Sequence, residues 1–265
     1  MAQASDGDEF KAPGMEEFFP AAIFGSTELT SFWGFDRIML VRFIVVAVLL
    51  LFLWLSVRRA TLVPGRAQSI VEMGLDFVKS FIAEQIMGKE RAKPFLPMLS
   101  IIFFTVLSMN LAGVVPFLNI GGTARVGLPL VLAVWVLVTY LAVGVKKHGV
   151  GKYLKNALFP PGVPWPMYFV LTPIEALQVF ILRPATLAIR LLANMMAGHL
   201  MLVLAFAATH FLLVESGGIM AIFSPITLFG GIFITVFEVF ISLLQAFIFT
   251  LLTAVYLNFA LEEEH

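Results

Sequence analysis

The chain reads as an all-α integral membrane protein with about five membrane-embedded helices and one amphipathic surface helix. The last two membrane helices form a long, strongly tilted hairpin. Three observations support this. Of 265 residues, 60% are hydrophobic and only 13% charged, where soluble domains carry roughly 25% charged residues. The apolar residues fall into runs long enough to cross a ~30 Å hydrocarbon core. The final two runs are about twice that length and carry isolated charges in their interiors.

Residues 1–37 read as an external segment, and residues 38–265 as a single membrane domain. The N-terminal stretch is acidic, with Asp6, Asp8, Glu9, Glu16 and Glu17. Neither a cleavable signal peptide nor an Arg-rich transit peptide has that pattern. Residues 38–57 form a first span, closed by Arg58 and Arg59. Residues 66–91 interleave Ile70, Val71, Leu75, Phe77, Val78, Phe81 and Ile82 with Glu72, Asp76, Lys79 and Glu84. This is the pattern of a helix lying on the membrane surface. Residues 95–115 and 128–145 are two more spans, joined by a turn holding Asn119, Gly121, Gly122 and Arg125.

The last two elements are predicted at about 173–213 and 219–260. Pro173 suits the first turn of a helix. Some 40 residues of helix extend roughly 60 Å, so each helix must tilt well beyond the usual ~20°, break, or leave the membrane. Pro184 and the Gly230–Gly231 pair are candidate breaks. The persistence of apolar character favours steep tilt.

Charge placement orients the chain. Arg58, Arg59, Arg66, Lys79, Lys89, Arg91, Lys93, Lys146, Lys147, Lys152 and Lys155 fall on one side, against Lys11, Arg37, Arg42 and Arg125 on the other. The positive-inside rule places the richer side in the cytoplasm, the N-terminus outside and the C-terminus inside. The net formal charge is zero, which argues against a nucleic-acid partner. There is no cysteine, so disulfides, thiolate metal sites and thiol catalysis are excluded.

Ionisable residues inside membrane spans are costly, and each is a functional candidate. Glu175, Arg190, His199 and Glu238 stand out, with Asn194 and Gln245 as polar neighbours. If the last two helices form a hairpin turning at Gly217–Gly218, residues at equal height have numbers summing to about 435. That register sets His199 opposite Glu238 within about one turn, Arg190 opposite Gln245, and Glu175 near the C-terminal glutamates. Arg183, Thr186, Arg190, Asn194 and Ala197 share one helical stripe; Glu238, Ser242, Gln245 and Tyr256 share another. His199 points about 180° away from Arg190, toward an external vestibule.

Plainer readings stand beside these. Arg190 as a snorkelling side chain is disfavoured, since it sits about 17 residues into its helix. His199 with Glu238 also reads as a static interhelical hydrogen bond. Asn194 and Gln245 taken singly read as packing groups, Glu175 as an interfacial residue, and Arg183 as a headgroup anchor. His199 and His210 lie ~16 Å apart along the axis, so they do not share a metal.

The segment RPATLAIRLLANMMAGHLMLVL, residues 183–204, resembles the signature of the a subunit of F-type ATP synthases, with Arg190, Asn194, Gly198 and His199 on its marked positions. LLQAFIFTLLTAVYLNFALEEEH resembles the second signature of that family, placing Gln245 and Tyr256. MNLAGVVP resembles its asparagine-bearing helix, at Asn110, and VPGRAQSIVE the start of its surface helix. The similarity runs from Ile38 onward. Some members carry glutamate at the position of His199 and histidine at that of Glu238, an exchange that implies the two meet. Glu175 lies one residue off the spacing of a cytoplasmic-side glutamate in the family.

The resemblance implies a non-catalytic proton-conducting stator subunit with no cofactor, in the plasma membrane of a bacterium. Its partners would be a rotating c-subunit ring, the b subunits of the peripheral stalk, the other synthase subunits and the lipid bilayer. It implies two offset half-channels, with Arg190 ionising the ring carboxylate and blocking leak. An arginine, charged at any relevant pH, favours the ionised form of an arriving carboxyl. His199 and Glu238 would serve the outer entrance, and Glu175 the exit. A transporter acting alone would favour inverted repeats, and an intramembrane hydrolase a placed nucleophile; neither is evident. A structural anchor does not explain a mid-helix arginine.

Overall fold

The computed structural model describes residues 14, 22–24, 35–58, 65–115, 122–159, 165–215 and 218–262. Most of the expected external segment, with Lys11 and its acidic residues, lies outside these. So do Arg59, Asn119, Gly121, Gly217, Glu263, Glu264 and His265.

A short antiparallel pairing of Ala22–Phe24 (β1) with Phe35–Asp36 (β2) precedes the helices. Helix α1, Arg37–Arg58, is the first apolar run and stays exposed along most of its length, as a lipid-facing helix does. Arg42 of α1 reaches across to the turn before the third span, donating from Nε to the carbonyl of Gly122 at 2.7 Å.

The surface helix spans α2 (Arg66–Phe77), a wide π-type turn at Val78–Ala83, and α3 (Glu84–Met87). Its Val71, Val78, Ile82 and Met87 are buried while Glu72, Asp76 and Lys79 are not. Val78, Ile82 and Met87 join the main core, so the bundle itself takes part of the apolar face expected at the lipid interface. The helix stops short of the expected end at 91. Gly88 turns at φ 75°, a conformation that favours glycine. The next helical stretch therefore starts at Lys89, through α4 (Lys89–Ala92) into α5 (Leu96–Leu111), rather than at 95.

Helix α6, Gly127–His148, is the third span and ends at Gly149, φ 82°. The apolar pattern offers no expectation of α7, Val150–Leu158. The helix that follows starts earlier than expected: α8 begins at Trp165, and Pro173 lies inside it. One proline in an otherwise apolar helix bends it without ending it when neighbouring helices support the turn.

From α8 the chain passes through a π-type turn, Gln178–Leu182, into α9, Arg183–His210. The hairpin returns as α10, Ser224–Leu261, an unbroken helix of 38 residues. Pro184 does not break its helix. In the wide turn the Arg183 amide donates to the Gln178 carbonyl, leaving the Val179 carbonyl facing a proline that has no N–H. The hydroxyl of Tyr140 on α6 donates to that carbonyl instead. Nor does the glycine pair break α10: Gly231 is buried, and a Cβ there would press on the Phe206 ring at 3.3 Å.

Five helical stretches are long and apolar enough to cross a bilayer, and the last two cover Met167–Val214 and Met220–Leu261, 48 and 42 residues. Those correspond to roughly 70 and 60 Å of helix. The protein is an all-α integral membrane protein, its core formed where α10 packs on α9, α5 and α6.

Candidate functional site

The register of the hairpin is fixed by small residues that allow close approach. Gly198 on α9 faces Glu238 on α10 so closely that a Cβ would collide with the carboxylate. Further along, Gly231 meets Ala205 and Phe206, and Thr209 donates to Thr227 at 2.9 Å. These pairs keep the height relation expected from the sequence, within about one turn.

Around Glu238 lies a cavity of about 200 Å³, lined by Asn110, Asn194, Gly198, Glu238, Ser242 and apolar neighbours. Three helices thus bring two amides, a hydroxyl and a carboxyl together. Asn110 is buried; its Oδ1 accepts from Thr123 at 2.7 Å, while Nδ2 has no partner among the described residues. Gln245, one turn beyond Ser242, is also buried with its Nε2 unpartnered. A stranded buried donor costs about 1–3 kcal/mol.

A second cavity, of about 350 Å³, lies at the other end of the hairpin. Glu175, Gln178, Arg183, His148, Tyr153 and Glu262 line it. Glu175 shares this cavity with Glu262, the C-terminal glutamate among the described residues. Arg183 is held over the rings of Tyr256 and Phe259, at 5.4 and 5.8 Å, and Tyr256 packs on Tyr140 at 6.0 Å. Arg183, which reads as a headgroup anchor in the sequence, lines this cavity. Burial pushes the Tyr153 phenol up, opposed by the charge of Arg183, so this hydroxyl stays protonated.

Arg190 lines neither cavity. It projects, exposed, from α9 on the stripe shared with Asn194 and Ala197. Asn194 lies about 6 Å along the axis toward one cavity and Arg183 about 10 Å toward the other. The ion pair found among the described residues, Lys93–Glu90, is remote in sequence. Neither Arg190, Glu175 nor Glu238 has a charge partner within the described part of the chain. An unneutralised guanidinium on a greasy helix is expensive.

The second expected stripe turns inward: Glu238, Ser242 and Gln245 are all buried. Arg190 and Gln245 share a height but face different ways. His199 is buried at the depth of Glu238 but does not line the Glu238 cavity, and no ion pair joins the two. The side-chain pairing implied by the family exchange is absent here, because the 100° step from Gly198 turns the imidazole away from the carboxylate.

His148, Tyr140, Tyr153 and Thr123 are not singled out by the sequence. His148 is hidden among the lysines at the end of α6, and only its Gly149 neighbour marks a helix end. Nothing in the spacing of the tyrosines or of Thr123 points to their partners.

Residues 39–258 match the family model described as ATP synthase A chain. The chain is 46% identical over 262 residues to the ATP synthase subunit a of Rhodococcus erythropolis, covering 97% of this chain and 93% of that one. It is 36% identical over 263 residues to that of Pseudarthrobacter chlorophenolicus, covering 98% and 97%. The similarity to the Streptomyces lividans ATP synthase subunit a is 31% over 260 residues, covering 98% and 91%.

Proposed function

The chain belongs to the ATP synthase A chain family, and we propose that it is the stator subunit that conducts protons past a rotating c-subunit ring. As a member of this family it is a multi-pass membrane-sector subunit of an ATP synthase complex, not itself the catalytic subunit. The two cavities act as offset half-channels. The Asn110–Asn194–Glu238 cavity admits protons from outside, and the Glu175 cavity releases them to the cytoplasm. The N-terminus lies outside and the C-terminus inside, the orientation that the lysine and arginine distribution favours.

Arg190 carries the reading. It is charged at any relevant pH, unpaired within the described chain, and set on the exposed face of α9 between the two cavities. A ring carboxyl reaching it is ionised by the adjacent charge, and the same charge opposes a proton passing directly between half-channels. Asn194 borders the site, Glu238 holds the entering proton, and Gln245 and Asn110 hydrate its path. Tyr256 positions Arg183 at the exit. His199 supports the entrance from the opposite side of α9. The partners are the c-ring on the Arg190 face, the peripheral-stalk b subunits, and lipid elsewhere.

Helices of roughly 60–70 Å fit a ~30 Å core only if they lie near 60° from the normal, beyond the ordinary 0–40°. Such inclined helices follow the wall of a ring, and the ring covers the polar stripe that lipid would reject.

The test is Arg190→Ala in the whole complex in inverted vesicles. Assembly is retained, and proton-driven ATP synthesis falls to background. Arg190→Lys restores little, because a compact ammonium is not a guanidinium fork. Near-normal synthesis in the alanine variant would remove the reading.

A further inference from the structure

The cavity at the C-terminal end of the hairpin holds a titratable group that this scheme does not use. His148, the last residue of α6, is half-buried and contributes to the lining beside Glu175 and Glu262. Its Nε2 is buried and has no hydrogen-bond partner among the described residues. The imidazole arrives there because α6 stops abruptly at Gly149, whose φ of 82° lets the chain turn at once into α7. Tyr153 of α7 then closes the wall by packing on Gly144, where a Cβ would collide with its ring.

The other groups of the cavity cannot do what an imidazole does. Arg183 stays charged and is caged by Tyr256 and Phe259. Tyr153 stays protonated. Lys147, the residue before His148, donates from its ammonium to the carbonyl of Leu261 at 2.7 Å, which ties α6 to the end of α10. Glu175 of α8 and Glu262 after α10 are the carboxylates. Histidine is the side chain whose ordinary titration spans neutrality, and it binds and releases protons without a large free-energy step at cytoplasmic pH.

We propose that His148 is a proton-transfer residue of the cytoplasmic cavity, passing protons between its Glu175 wall and bulk water. The proposal rests on the half-channel reading above. During synthesis the neutral imidazole takes a proton at Nε2 as the Glu175 carboxyl ionises, by way of cavity water. The imidazolium then returns it to the cytoplasm, and each turnover leaves both groups as they began. During ATP hydrolysis the steps reverse. Arg183 is the positioning charge: it favours the ionised carboxylate and opposes a second resident proton.

The experiment uses the assembled complex in inverted vesicles, whose outer medium is the cytoplasmic side. ATP-driven proton pumping is followed as that medium is varied from about pH 6 to about pH 9, a range that spans the ordinary imidazole titration. His148→Gln is expected to pump several-fold more slowly above neutrality and to lose the part of the pH profile that imidazole supplies. His148→Ala is expected to behave likewise and to be rescued by millimolar free imidazole, which a packing role would not allow. A wild-type profile in both variants overturns the proposal. So does a uniform slowing with no imidazole rescue, and so does failure of both variants to assemble, since each assigns His148 a structural role. Arg190→Ala run in parallel separates the two readings: if it uncouples the complex while the His148 variants are normal, only the inference about His148 falls.

Discussion

The hydroxyl of Tyr140 donates to the carbonyl of Val179, the backbone acceptor that Pro184 leaves without its helical donor. One side chain on α6 thereby allows a proline less than two turns before Arg190 without a break in the helix, and draws α6 and α9 together beside Arg183.

Tyr140→Phe strands that buried carbonyl and should destabilise the protein by about 1 kcal/mol, between the average for interhelical bonds in bilayers and the cost of an unsatisfied buried acceptor. Pro184→Ala supplies the missing N–H, so it should be less harmful when combined with Tyr140→Phe than in the wild type. A double-mutant cycle on thermal unfolding in detergent measures the coupling. Additive effects would show that the two residues do not share the carbonyl.

Gly198→Ala places a methyl group where the Glu238 carboxylate sits. The carboxylate is the flexible end of its side chain and can swing aside, so assembly should survive while proton-driven synthesis falls about tenfold, near 1.4 kcal/mol in barrier. Glu238→Asp, one methylene shorter, should recover part of the loss. A Gly198→Ala variant with full activity would mean that the position of this carboxylate does not matter.

Glu238→Gln keeps the shape of the cavity but has no carboxyl to take up and release a proton there. Synthesis should fall at least about tenfold, while assembly and stability change little. Because no ion pair joins Glu238 and His199, exchanging them is expected to rescue less than a directly paired site would. Full activity of the exchanged double variant would show a coupling that the resting geometry hides.

The chain has no cysteine, so introduced thiols report cleanly. Cysteines at Ala193 and Ala197, exposed on the α9 face near Arg190, should form disulfides with cysteines on the outer helix of the ring. Cysteines at Leu191 and Met195, buried on the opposite face, should not. The reverse pattern would turn α9 around and remove Arg190 from the ring.

Residue spacing along one helix is a local matter, and what depends on it is legible without the fold. The apolar runs, the lone charge at Arg190 with Asn194 one turn on, and the placing of His199 within about one turn of the height of Glu238 follow from a rise of about 1.5 Å and a step of about 100° per residue. Contacts between helices obey no such rule. The meeting of Asn110 with Asn194 and Glu238 depends on how α5 lies across the hairpin, and only the resemblance points to Asn110 beforehand. The caging of Arg183, the arrival of His148 beside Glu175, and the failure of His199 to reach Glu238 depend on rotation angles and on where glycines let backbones close in. The passage of the helix through Pro184 was decided in the same way, because a backbone partner that a proline removes inside a bilayer has to be replaced from another helix.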